Sequence, residues 1–144
     1  MMHRRNWLVM GLIAASVMLV GCEQTHAESG ADKPAQVTPV HGTNLSRVVL
    51  SARAAERIGI MTAPATAAGG AAISVPLAAL VYDRDGSTWV YTTTAPLTYL
   101  RQRVTVARIT GDAVVLQPGP AAGASVVTVG AAELLGSEYG VAGE

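Results

Sequence analysis

Val75-Pro76-Leu77-Ala78-Ala79-Leu80-Val81-Tyr82-Asp83-Arg84-Asp85-Gly86-Ser87-Thr88-Trp89-Val90-Tyr91-Thr92-Thr93-Thr94 decides how the chain is read. Two apolar, β-favouring runs flank Asp83-Arg84-Asp85-Gly86. Aspartate side chains bond nearby backbone N–H groups, and a glycine takes a positive φ without a Cβ clash, so this segment has the residues of a tight turn. A run rich in Trp, Val, Tyr and Thr after a Gly-ended turn predicts a β-hairpin. Pro76 has no N–H to donate and suits the start or edge of a strand. Trp89 and Tyr91 share a face of the second strand, and Trp89 is expected to lie largely buried.

Downstream, Pro96 breaks the strand and Tyr99–Ile109 alternates. Leu100, Gln102, Val104 and Val106 point one way, and Arg101, Arg103, Thr105 and Ala107 the other. The second set is the more polar, as on the solvated face of an antiparallel strand. Gly111-Asp112 predicts a turn into Ala113–Gln117, Pro118–Gly123 a connection, and Ser125–Val129 the last strand. Ala131–Leu135 is long enough for one helical turn, and the Gly-containing tail 136–144 is expected to fray.

Upstream, Leu45–Leu50 reads as a strand. Ser51 fits an N-cap, Ala52–Ile58 two helical turns and Gly59 their stop. Ile60–Thr66 is extended again, and Ala67–Ala72 reads as a flexible joint. The prediction is a mostly β domain of about five to seven short strands with one short N-terminal helix, over residues 45–135.

The chain starts differently. Arg4 and Arg5 precede a fourteen-residue apolar run, Trp7–Val20, too short for a membrane span of roughly 20 residues and shaped like a secretory h-region. It ends in Leu19-Val20-Gly21-Cys22, the shape of a bacterial lipobox, and Cys22 is the chain's sole cysteine. Residues 1–21 are therefore expected to be a lipoprotein signal peptide and Cys22 the lipid-attachment residue. That places the mature chain on the periplasmic side of the envelope, anchored to a membrane by its N-terminal lipid. Cleavage leaves 123 of the 144 residues, with eight basic and ten acidic side chains, a net charge of −2. No basic field remains to attract nucleic acid. Residues 22–44, small and polar, read as a flexible tether. His26 and His41 within it are too sparse and far apart for a metal site.

From Leu45 onward there is no His, Cys or Lys, so the usual base of nucleophilic catalysis is missing. The carboxylates sit in turns or near element ends, which reads as ordinary solvation. No Gly-rich phosphate loop joins a strand to a helix. The expectation is a protein that is not an enzyme and carries no cofactor or metal.

Val75-Pro76, Ala79-Leu80-Val81, Trp89-Val90-Tyr91, Arg103-Val104-Thr105-Val106, Val114-Val115-Leu116, Pro118–Gly123 and Val126–Gly130 follow one another in an order that resembles the periplasmic adaptor (membrane fusion) subunits of resistance-nodulation-division efflux pumps. Leu50–Ile60, with Thr62 and Ala63, resembles the opening of such adaptors. The resemblance implies their C-terminal membrane-proximal domain, a permuted SH3-like β-barrel. Between the two regions an adaptor inserts a β-barrel, a lipoyl-like domain and a long helical hairpin, whereas here about ten residues separate Pro64 from Val75. The implied function is that of a lipid-anchored accessory protein in an efflux system, binding an inner-membrane transporter or a full-length adaptor, with Arg101 and Arg103 as rim contacts. The alternative is an autonomous envelope lipoprotein that binds a small ligand or metal.

Overall fold

In a computed structural model, residues 33–140 are described; the whole signal segment 1–21, Cys22, His26 and the tether up to residue 32 lie outside them. Among the described residues the chain is mostly β, as expected, but has more strands than predicted: eleven, in two sheets, with two short helices.

Local chemistry sets the first elements. β1 (Ala35–Pro39) and β2 (Ser46–Leu50) form an antiparallel hairpin, Ala35 opposite Leu50 and Pro39 opposite Ser46. Its turn is closed by Val40 N–H donating to the Leu45 carbonyl (2.9 Å) and by the Thr43 hydroxyl on the Val40 carbonyl (2.9 Å). The region read as a tether is thus a strand over Ala35–Pro39. Most β1 side chains are exposed, so backbone pairing, not apolar burial, holds it. Helix α1 (Ala52–Ile58) matches its prediction: the Ser51 hydroxyl accepts from Ala54 N–H (3.2 Å), and Gly59, at φ 71°, donates to the carbonyls of Ala55 and Glu56.

β3 (Met61–Pro64) follows, then β4 (Thr66–Ala67) and β5 (Ile73–Pro76). The presumed joint between β4 and β5 is a hairpin turn, Ala68 N–H donating to the Ala72 carbonyl at 2.8 Å. A 3₁₀ turn, Leu77–Ala79, leads to β6 (Val81–Tyr82), and the Asp83–Gly86 turn to β7 (Thr88–Ala95). The predicted hairpin exists, with Val81 opposite Trp89, but its first arm is split. Val75-Pro76 belongs to the other sheet, because the 3₁₀ turn redirects the chain. β8 (Thr98–Val104) and β9 (Val106–Thr110) likewise divide the long alternating run. They part at Thr105, whose backbone bonds Pro118 and Gln117. β10 (Ala113–Leu116), β11 (Ser125–Val129) and helix α2 (Ala131–Glu138) complete the chain.

The larger sheet runs β1-β2-β8-β7-β11-β3, with β6 also on β7, and the smaller runs β4-β5-β10-β9. Two apolar clusters lie on opposite faces of β7 and β11. Tyr91 and Val127 join Val48, Leu50, Ala54, Ala55 and Leu134, under the helices. Val90 and Val126 join Val75, Val104, Val114 and Leu116, against the smaller sheet. Alternation along a strand sends neighbours to opposite faces, so β7 and β11 feed both cores and sit between helices and second sheet.

Gly130 connects β11 to α2 at φ 91°, and a Cβ there would come within 2.3 Å of Ile60 Cδ1 and 2.7 Å of Ile58 Cγ2. α2 runs to Glu138, past the single turn predicted, and Ser137 is buried. The segment 136–140 is therefore ordered, which corrects the expected frayed tail where it is described.

Candidate functional site

Arg101 is the residue on which the polar architecture turns. It lies on β8 between Tyr99, 4% exposed, and Arg103. β8 departs from the sequence expectation at two positions: Arg101 is buried beside Tyr99 and Gln102 is exposed, while Val104 is buried and Arg103 exposed as expected. The Arg101 side chain is 9% exposed and is not the rim contact expected. Arg103 is exposed, as a rim residue would be.

A buried cation survives when carboxylates and hydrogen bonds replace water. Arg101 Nη1 donates to Asp83 Oδ2 at 2.7 Å, from the turn before β7. Its Nε lies 3.1 Å from Glu138 Oε1 at the end of α2, an electrostatic contact without an aligned hydrogen bond. Glu138, 4% exposed in its side chain, also accepts from the Tyr91 hydroxyl (2.7 Å) and from Ser46 N–H (3.2 Å). Tyr139 donates its hydroxyl to Asp83 Oδ1 and accepts weakly from Arg101 Nη1 (3.4 Å). Two carboxylates from distant segments thus clamp one guanidinium, tying β8, the turn and α2 together.

The aromatic rings extend this clamp. The Arg101 guanidinium carbon lies 4.5 Å from the Trp89 ring centroid and 5.7 Å from that of Tyr139. Arg103 stands 6.0 Å from the Trp89 ring, and Arg84 4.7 Å from that of Tyr139. Within about 6 Å such contacts are attractive. Trp89 is half-buried, not enclosed as expected, because its indole closes the end of the core with arginines beside it and donates to the Ser87 hydroxyl at 2.7 Å. Tyr91, fully buried, takes the enclosed position instead.

Proton affinities follow from these contacts. The Tyr139 hydroxyl, helped by Arg84 N–H and Arg101, holds the Asp83 carboxyl down to about 2 from its ordinary 3.8. Burial, then the facing Glu138 carboxylate, pushes the Tyr91 phenol well above its ordinary range. Burial disfavours the Arg101 charge, but hydrogen bonds to Asp83 and Tyr139 outweigh it and raise its pKa. For Asp83 the folded value is depressed, so its contribution is complete above the unfolded value and is lost as pH falls through the folded one. The melting temperature is therefore expected to drop between about pH 4 and pH 2. Asp83→Asn should flatten that part of the pH profile; an unchanged profile would refute the assignment.

Sequence reading placed Asp83 and Glu138 in solvated positions; the structure makes both partners of Arg101. Once the β7–β8 hairpin is recognised, register gives a partial signal, with Tyr91 opposite Arg101 and Trp89 opposite Arg103. No such signal marks Glu138 or Tyr139. The arrangement fixes charge and joins elements. His41 lies in the β1–β2 turn. Among the described residues no three His, Cys, Asp or Glu side chains converge as a metal set, and no helix is long and apolar enough to cross a membrane. No family model, curated protein or solved structure matches the chain.

Proposed function

We propose that this chain is a lipid-anchored, non-enzymatic protein on the periplasmic side of the cell envelope. Its β domain docks on a membrane transport protein of the efflux type, an inner-membrane transporter or a full-length adaptor. The lipobox at Cys22 supports the anchoring. The observation that carries the docking reading is the passage between β3 and β5. Where an adaptor inserts its barrel, lipoyl-like and hairpin domains, Thr66–Ala67 and Ile73–Ser74 pair directly across a short turn. The flanking residues on each side, which bear the adaptor-like pattern, enter two shared cores. The membrane-proximal part of such an adaptor can therefore be retained without the part that reaches outward.

Docking falls to exposed edges and loops. Arg103 remains a rim candidate; Arg101 does not. The test is crosslinking in native membranes, followed by capture of the full-length lipidated protein and identification of what comes with it. A transporter or adaptor enriched over an unrelated lipoprotein bait is the expected result. Rim charges act on association rate and salt sensitivity more than on folding. Arg103→Glu is thus expected to reduce recovery severalfold with an unchanged melt. Enrichment of no transport protein, or an N-terminus lacking an acylated Cys22 by mass spectrometry, overturns the proposal.

A further inference from the structure

Among the described residues the larger sheet ends in β1 and β3 and the smaller in β4 and β9. An edge strand takes up a further strand through backbone groups that point away from its neighbour. Three of these four edges are guarded. β4 has only two residues. β9 has a bulge in its ladder with β10, and its Arg108 is exposed; bulges and charges both deter pairing. On β3, Ala65 bonds Ala124 and Gly123 of the neighbouring strand, so alternation turns Pro64 outward, where it has no N–H to offer.

β1 differs. The Pro34 carbonyl accepts from Ser51 N–H (3.0 Å), and Val40 N–H donates to the Leu45 carbonyl (2.9 Å). Only every second residue of an antiparallel strand bonds a given neighbour. Gln36 and Thr38 therefore bond β2, while Ala35 and Val37 turn both backbone groups outward, and Pro39 ends that outward set. Beside this edge runs a groove of about 630 Å³. Lys33, Ala35 and Val37 line it on one side, and Ser137 and Gly140, at the end of α2, on the other.

We propose that β1 takes up, as an added antiparallel strand in this groove, an extended acidic segment of a partner polypeptide. Charge argues for the acidic character. From Lys33 to Ala55 the chain carries Lys33, Arg47 and Arg53 and not one Asp or Glu. Arg47 stands opposite Thr38 of β1, and Arg53 follows Ser51, which is bonded to Pro34. Both ion pairs among the described residues belong to Arg101, so these three cations have no carboxylate there. Size argues against a second copy of the chain. β1 is five residues long, about 17 Å, and offers far less than the roughly 1,200–2,000 Å² that a stable interface between folded chains buries. The inference deepens the docking reading by naming its edge, and rests on that reading only for the partner being a transport protein.

The test uses the full-length lipidated protein in lipid nanodiscs and follows amide hydrogen exchange at Ala35 and Val37, with Gln36 and Thr38 as internal controls. The probes are acetyl-Val-Thr-Val-Thr-Glu-Glu-amide and its counterpart with both glutamates replaced by lysine, titrated through the millimolar range. In the free protein Ala35 and Val37 are expected to exchange faster than Gln36 and Thr38. The acidic peptide is expected to slow Ala35 and Val37 saturably, and the basic one to bind at least fivefold more weakly. Methylating one alternate set of peptide amides should abolish the slowing, and methylating the other set should spare it, since a strand turns alternate N–H groups to its neighbour. Lys33→Glu combined with Arg47→Glu, both at exposed positions, should remove the charge preference. Absence of saturable slowing, or equal effects of the two methylated sets, overturns the edge. Equal binding of the two peptides overturns the acidic partner. Slow exchange at Ala35 and Val37 without peptide also overturns the proposal: it assigns the edge to the chain's own segment or, where it grows with protein concentration, to a second copy. No transport protein enters this test, so its failure removes the edge alone, and failure of the membrane capture removes the transport partner alone.

Discussion

Arg101→Met is expected to lower the stability of the mature chain by about 3–5 kcal/mol, the cost of removing one partner from a buried ion pair. The methionine fills most of the arginine stem's volume, so the loss is chiefly electrostatic. Without the guanidinium, Asp83 and Glu138 keep their charges in a site where both side chains are largely enclosed, 13% and 4% exposed. Since a domain is held by roughly 5–15 kcal/mol, the shift is large enough to read in a denaturant melt followed by circular dichroism. Arg101→Lys keeps a charge but not the planar fork and its stacking on Trp89, and should fall between the two. Arg103→Met, at an exposed position, should change stability by no more than about 0.5 kcal/mol. A melt of Arg101→Met that overlays the parent would show that the clamp contributes nothing.

This contrast also explains how much was legible in the sequence. α1 was readable because its determinants are local: Ser51 caps its start and Gly59 its end within nine residues of chain. The Asp83–Gly86 turn and β11 were readable for the same reason. Arg101 was not. Alternation placed Val104 inward and Arg103 outward as found, but it assigned Arg101 to solvent as well. What holds the Arg101 side chain inward is Asp83, eighteen residues earlier, together with Glu138 from the far end of the described chain. β1 was missed because Ala-Gln-Val-Thr-Pro buries little, and its order comes from the ladder it completes with β2. Local chemistry was visible, and the meeting of distant segments was not.

The end of the chain makes the same point measurable. A chain terminated after Leu135 loses Gly136–Glu144, the stretch that composition marks as dispensable. If those residues only frayed, their removal would be neutral to within about 0.5 kcal/mol. In the structure they carry Glu138, which accepts from Tyr91 and Ser46 and faces Arg101, and Tyr139, which donates to Asp83. Truncation also strips the last turn from α2 and uncovers Ser137's neighbours. It leaves the fully buried Tyr91 with a hydroxyl that has lost its acceptor, and an unsatisfied buried group costs about 1–3 kcal/mol. Arg101 keeps Asp83 but loses half of its countercharge. Together these losses are expected to exceed about 3 kcal/mol, giving a clearly lower midpoint or no cooperative transition. Glu138→Gln separates the causes: it keeps the helix and one acceptor oxygen, enough for one of the two donors Tyr91 and Ser46, while removing the charge, and so should cost less than the truncation. A truncated chain that melts with the parent would mean that α2's last turn is ornamental and that the clamp closes without it.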